Sequence, residues 1–427
     1  VTTEPRAPAR ERRSRLRGLA IDLTPLRTSR DFRLIWMGLL ITSAGSQFTL
    51  VASFVQVKDL TGSEAAVGAT GLAYLVGLVT GSLAGGAILD TWDRRRLLMT
   101  AQVGLATGSS ILLAGALAGD PPVWVVYAGL VVLAGSSAID GPTRSAMAPR
   151  LVGPAMVPAA QALNQVVWNT AGLFGPALAG VVIRVTGSVT TAYAIDLSSI
   201  VCMLVAASLV RPMPPLESDH TDTGIRAIRD GFSFARRHRL IMSTFVIDLI
   251  AMIFGLPRAL FPFLVVGQFH RSADALGLLF AAPAVGALLG ALTSGWTRHV
   301  RRQGLAVILA VMAWGAAIAA FGWSGPWFWF ALAMLAVAGW ADVISAIFRS
   351  TILLLSAPDR LRGRISGIHI LVVTGGPRLG DFEAGLVARL VTPTFSVVAG
   401  GLACVVGAAL VAIAYPELRD ARASPRS

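Results

Sequence analysis

Long apolar runs alternate with short polar, arginine-bearing segments along this 427-residue chain. Each run is near the length that crosses roughly 30 Å of hydrocarbon as a helix. They fall at 34–57, 66–89, 97–118, 122–143, 158–183, 189–210, 241–266, 274–295, 304–323, 327–349, 366–389 and 395–415. Membrane β-barrels alternate polarity over segments of roughly ten residues, and no such pattern occurs. The pattern therefore predicts an all-α integral membrane protein of twelve spans. Most connections are short, so consecutive helices are antiparallel neighbours. The exception, 211–240, begins with Pro212, Pro214 and Pro215 and carries Glu217, Asp219 and Asp222. It reads as a linker whose later part, 224–239, forms an amphipathic helix on the membrane surface.

A repeat divides the chain. Gly175-Pro176 recurs as Gly376-Pro377 at an offset of 201, Arg144-Ser145 as Arg349-Ser350 at 205, and Arg94-Arg95 as Arg301-Arg302 at 207. Three ordered matches imply two pseudo-symmetric six-helix bundles with a substrate path between them near the midplane. The expected organisation is a basic tail (1–33), a first bundle (34–210), the linker (211–240), a second bundle (241–415) and a short tail (416–427).

Composition supports this reading. The chain is 55% hydrophobic and 14% charged, too apolar for a soluble domain of its length. Its net charge of +13 does not point to nucleic acid, because the basic residues are spread over short interhelical segments. Placing the N-terminus inside puts 30 of the 36 basic residues on the cytoplasmic side, which predicts cytoplasmic termini in the cell membrane. The arginines at 6–17 either lie on anionic lipid or act as a disordered orientation signal. The first 33 residues contain no apolar stretch of a cleavable signal peptide.

Enzyme chemistry finds no support. There is no H-E-x-x-H, no G-x-S-x-G and no phosphate-binding G-x-x-x-x-G-K-[ST]; Lys58 is the only lysine. Cys202 and Cys404 lie inside apolar runs, away from any disulfide or metal spacing. No cofactor or metal is expected, and the partner is a small molecule handled by a monomer.

After the second span stand Gly86, Asp90, Arg94 and Arg95. Their spacing resembles the loop signature G-x-x-x-D-[RK]-x-G-[RK]-[RK] of the major facilitator superfamily, with Thr91 and Asp93 departing from it. The resemblance implies a cytoplasmic latch formed by Asp90, Arg94 and Asp140 beside Arg144; the alternative is a plain topology determinant. Gly172, Gly175, Pro176 and Gly180 resemble the family's span-five motif G-P-x-x-G-G, which implies export; the alternative is ordinary small-residue packing. Residues 142–180, 342–349, 358–364 and 375–381 are similar to the branch holding enterobactin (siderophore) exporters and drug exporters. The resemblance implies a secondary exporter working by alternating access and proton antiport. An importer of the same fold, or a non-transporting sensor, is the alternative.

Charges inside spans are costly and so mark candidates. They are Asp196, Asp248, Arg258, Asp342, Arg378, Asp381 and Glu383. Pro257 and Pro262 beside Arg258 predict a break in span seven. Arg378 and Asp381 are three apart and are expected to pair along one helix face. Burial disfavours a charged carboxylate, so Asp248, Asp342, Asp381 or Glu383 either binds a coupling proton or forms a structural ion pair. Gln47, Asn164, Gln165, Trp168 and Asn169 either line a cavity for an amphipathic solute or bond between helices.

Overall fold

Apolar side chains on every face, in a solvent offering the backbone no hydrogen bonds, leave the helix as the structure for each run. The computed structural model describes residues 22–88, 92–214, 233–234, 236–255, 257–271, 273–356 and 362–422. In the first bundle the long helices are α1 (Arg30–Thr61), α2 (Glu64–Ile88), α3 (Arg94–Leu117), α4 (Val123–Val152), α5 (Val157–Thr186) and α6 (Val189–Ser208). The second holds α7a (Arg239–Phe254), α7b (Phe261–Gly267), α8 (Ala273–Thr293), α9 (Gln303–Gly322), α10 (Phe328–Ser356), α11 (Arg362–Leu390) and α12 (Pro393–Ala414). Among the described residues, 11 stretches are long and apolar enough to span a membrane. The remaining long helix, α11, has 29 residues, but Arg378, Asp381 and Glu383 interrupt its apolar surface.

Polar side chains start and stop the helices. Ser29 accepts from the Phe32 N–H at 3.1 Å to cap α1, and Thr392 caps α12 through the Phe395 N–H at 3.1 Å. Gly62, at φ 60°, ends α1 in the left-handed region. Asp93, which departs from the family signature, accepts from the Arg96 N–H at 3.0 Å and caps α3. α4 runs through Pro142 and Pro149 to Val152, past the expected end at 143. An apolar-run reading stops at 143 because Arg144 and Arg150 interrupt the apolar run while the helix continues.

Both bundles pack by one plan. α2 lies on α4, α4 on α3, α3 on α6, and α1 on α5 and α6. α8 lies on α10, α10 on α9, α9 on α12, and α7a on α11 and α12. The bundles meet where α2 packs on α11 and α8 on α5, contacts that exchange under the repeat. Arg94, Arg150, Arg211, Arg302 and Arg349 mark one end, here termed basic; Lys58, Arg184 and Arg271 mark the far end.

Glycines set the depth of packing. A Cβ on Gly81 would strike the Gly135 backbone, and one on Gly286, 205 residues later, the Ala336 backbone. Small residues thus bring α2 against α4 and α8 against α10.

The expected break in span seven is present. Between α7a and α7b the chain turns through Pro257 and a 3-10 segment, Arg258–Leu260. The backbone groups released there are buried and need partners. The indole N–H of Trp314 donates to the Gly255 carbonyl at 2.9 Å, and the Ala259 N–H donates to Asp381 Oδ1 at 3.0 Å. Tails 1–21 and 423–427, and most of the expected surface helix at 224–239, lie outside the described residues.

Gly81→Leu or Gly286→Leu is expected to destabilise the protein by about 1–3 kcal/mol through overpacking. Gly172→Ala, where an added Cβ meets nothing within 4 Å, is expected not to. Thermal unfolding in detergent checks both.

Candidate functional site

Two cavities flank α1. The larger, about 260 Å³, lies in the first bundle and reaches the second only at Arg378. Its wall is rich in hydroxyl and amide groups (Thr42, Ser43, Ser46, Gln47, Thr49, Ser53, Thr70, Tyr74, Gln102 and Ser137), with Asp140, Arg144, Trp168 and Asp196. Leu50, Phe54, Leu105, Leu130, Leu133 and Ile200 supply the apolar part. The smaller, about 220 Å³, lies between the bundles. It is lined by Gly172 and Pro176 on one side and by Arg258, Phe280, Pro283, Trp314 and Asp342 on the other. Gln47 and Leu50 border both, so α1 forms the wall that the two cavities share.

Close contacts between the bundles lie toward the far end. A Cβ on Gly68 would meet the Asp381 carbonyl and Gly385, and one on Gly277 would meet Pro176 and Ala177. The Arg378 guanidinium of α11 stacks 4.0 Å from the Tyr74 ring centroid of α2, and Phe54 stacks on Phe280 at 6.1 Å. These contacts hold the two bundles together toward the far end.

Each buried charge has its own arrangement. Asp140 pairs with Arg144 one turn along α4 at 2.5 Å and accepts from Gln102 Nε2 at 2.7 Å. Asp248 of α7a pairs with Arg349 of α10 at 3.0 Å and faces His369 Nδ1 of α11 at 3.7 Å. Asp342 approaches Arg349 at 3.9 Å. Asp196 of α6 accepts from Thr49 Oγ1 of α1 at 2.7 Å and from Ser109 Oγ of α3 at 3.0 Å.

The expected Arg378–Asp381 pairing along α11 does not form. Among the described residues, Asp381 takes the backbone N–H freed by the α7 break, and Arg378 takes the Tyr74 ring. Glu383 is half-buried and lines neither cavity. Arg258 and Asp342 border the second cavity together.

The repeat offset of 205 relates Arg144 to Arg349, Ser43 to Asp248 and Asp140 to Ser345. The two halves thus exchange acid and hydroxyl at equivalent positions. In the first half the acid shares a helix with its arginine. In the second it sits across the bundle and ties α7a to α10.

Of the loop-signature residues, Asp90 lies outside the described residues, as does the Gly86 environment. Arg94 donates its backbone N–H to the Met213 carbonyl at 2.9 Å. Arg95 reaches the carbonyls of Ala207 and Ser208 and so caps the basic end of α6. In the span-five motif, Gly175 leaves room for the Gln47 side chain, which a Cβ would meet at 2.7 Å; Gly180 is buried. Gln47 and Trp168 reach the larger cavity. Asn164, Gln165 and Asn169 line neither of the two cavities, and Gln165 Nε2 donates to Asn169 Oδ1 one turn away at 3.1 Å. Sequence reasoning did not select Thr49, Ser109, Gln102 or Tyr74, because hydroxyl, amide and aromatic groups within spans are common and bond mostly along their own helix.

Residues 20–427 match the family described as transmembrane secretion effector. The chain is 29% identical over 412 residues to the enterobactin exporter EntS of Citrobacter koseri, covering 95% of this chain and 96% of that one. It is 28% identical over 412 residues to the enterobactin exporter EntS of Escherichia coli K12, with the same coverage. Among solved structures it is similar to the nucleoside transporter NupG, with a TM-score of 0.71 at 14% identity over 91% of this chain and 99% of that one. It is also similar to an inward-facing, unoccupied bacterial homologue of the human lysosomal transporter Spinster, with a TM-score of 0.70 at 15% identity over 93% and 98%. These two structural likenesses bear on the fold alone.

Arg349→Met leaves Asp248 buried without its cation and is expected to cost about 3–5 kcal/mol. Replacing both members, Asp248→Leu with Arg349→Met, is expected to recover most of that loss. Thermal unfolding of the purified single and double variants checks the pair.

Proposed function

This chain belongs to the transmembrane secretion effector family of major facilitator transporters, and we propose that it exports a small amphipathic molecule of the siderophore class by alternating access. Membership makes it a membrane transporter rather than an enzyme. The observation that carries the export reading is the likeness to enterobactin exporters across 95% of the chain. The cavity chemistry supports the substrate class. Catechol and hydroxamate groups are planar, weakly acidic and rich in hydrogen-bonding oxygen. The larger cavity offers hydroxyls, amides, Trp168 and two guanidiniums, Arg144 and Arg378, within an apolar frame.

Orientation follows from charge. With the basic end in the cytoplasm, 30 of 36 basic residues face inward. The far-end contacts of α2 with α11 and α5 with α8 then close the periplasmic or external side. The state is one that loads substrate from the cytoplasm. The protein works in the cytoplasmic membrane as a monomer, with the arginines at 6–17 on anionic lipid. The loop-signature residues latch the basic end when that end closes.

Energy comes from proton antiport. Asp248 is held by Arg349 and Asp381 by the Ala259 N–H, which favours structural roles for these two acids. The cavity acids Asp196 and Asp342 remain available to the coupling ion.

Inverted membrane vesicles containing the protein are expected to accumulate enterobactin when an imposed gradient makes their interior acidic, and to lose that accumulation with an uncoupler. Accumulation in right-side-out vesicles instead would identify an importer.

A further inference from the structure

We propose that Asp196 is the carboxylate that binds and releases the coupling proton, held for both states by the hydroxyls of Thr49 and Ser109. The inference rests on the proton-antiport reading and names the site that serves it.

Asp196 differs from the other buried acids in what surrounds it. The residue is 3% exposed and lines the larger cavity. Its hydrogen bonds come from Thr49 Oγ1 at 2.7 Å and Ser109 Oγ at 3.0 Å, and among the described residues no cation pairs with it. The helices packed on α6 are α1, α3 and α5. On α1 the ionisable side chains are Arg30, Asp31, Arg33, Lys58 and Asp59, near its ends; on α3 they are 94–96, at the basic end; on α5 there is Arg184, at the far end. On α6 itself the Tyr193 hydroxyl is committed to Gln56 Oε1 at 2.8 Å. Asp140, Arg144, Tyr74 and Arg378 share the cavity wall, with Asp140 and Arg144 already paired.

The donors around each acid differ in kind. A guanidinium, an amide N–H₂ or a backbone N–H only donates. Asp140 and Asp248 each face a guanidinium, Arg144 and Arg349, Asp342 lies 3.9 Å from Arg349, and Asp381 accepts from the Ala259 N–H. A hydroxyl donates to a carboxylate and, after rotating about its C–O bond, accepts from a carboxylic acid. Thr49 and Ser109 both donate to Oδ2 of the Asp196 anion, and either can turn to accept when that oxygen carries the proton. The step balances simply: one O–H bond forms on a carboxylate oxygen as a hydronium ion becomes water, and the same bond breaks when the proton passes to water on the other side. Because the two hydroxyls come from α1 and α3, a shift between these helices changes the proton affinity of α6.

Infrared difference spectroscopy of the reconstituted full chain, titrated from about pH 5 to 9, reads this group directly. A carbonyl stretch of a protonated acid is expected to grow as pH falls and to be absent from Asp196→Asn. In Thr49→Val, which lacks one donor to the anion, its midpoint is expected to rise by about one pH unit. A band that persists unaltered in Asp196→Asn overturns the assignment. If Asp196→Asn fails to fold, Thr49→Val and Ser109→Ala carry the test, and an unmoved midpoint in both overturns it. Enterobactin flux in the same liposomes separates the two levels. Wild-type flux indifferent to a pH gradient overturns proton antiport itself. Gradient-driven flux that is intact in the wild type and undiminished in Asp196→Asn overturns the role of Asp196 alone.

Discussion

Every polar group that this chain carries into hydrocarbon must be answered by another part of the same chain. The break in α7 shows the constraint most directly. Pro257 and Pro262 end one helix and start another, releasing backbone groups deep in the second bundle. Trp314 of α9 covers the Gly255 carbonyl, and Asp381 of α11 covers the Ala259 N–H. Two neighbouring helices therefore carry a polar side chain at set heights because a third is interrupted. The interruption places Arg258 at the wall of the inter-bundle cavity.

The same constraint gives the two halves different tasks. Their packing is equivalent helix for helix, down to the glycines that bring α2 onto α4 and α8 onto α10. Their charges are not. The first half neutralises its arginine within α4, leaving α1 free of a charged tie to that helix and lined with hydroxyls. The second half braces α7a to α10 through Asp248 and Arg349. Hydroxyls that donate or accept bond to Asp196, whereas Asp140 and Asp248 face guanidiniums and Asp381 a backbone N–H. Under the proposal that Asp196 takes the coupling proton, the first bundle holds that acid while Asp248 and Arg349 brace the second.

Much of this was legible in the sequence. Apolar runs, arginine spacing and repeated Gly-Pro pairs were enough for the helices, the two bundles and the break in α7, because each depends on local composition. Partner choice was not legible. Arg378 and Asp381 stand three residues apart, as a helical ion pair would, yet each turns to another helix because tertiary demands on Asp381 outweigh a pair worth a few tenths of a kcal/mol. Asp93 looked like a lapse in a loop signature and is the cap of α3. Asn164, Gln165 and Asn169 read either as cavity groups or as interhelical partners, and the sequence could not show that they line neither cavity. The hydroxyls that do line the cavity were hidden among many serines and threonines that bond to their own backbone.

The central claim is that the bundles rock about the cavity, opening the far end as the basic end closes. Double electron–electron resonance tests it most directly, with spin labels on cysteines placed at Thr61 and Val391 for the far end and at Arg150 and Arg302 for the basic end, Cys202 and Cys404 being replaced by serine. On adding enterobactin and shifting the pH, the account predicts that the far-end distance lengthens as the basic-end distance shortens. Distances that stay fixed at both ends, while the same sample transports, would contradict it.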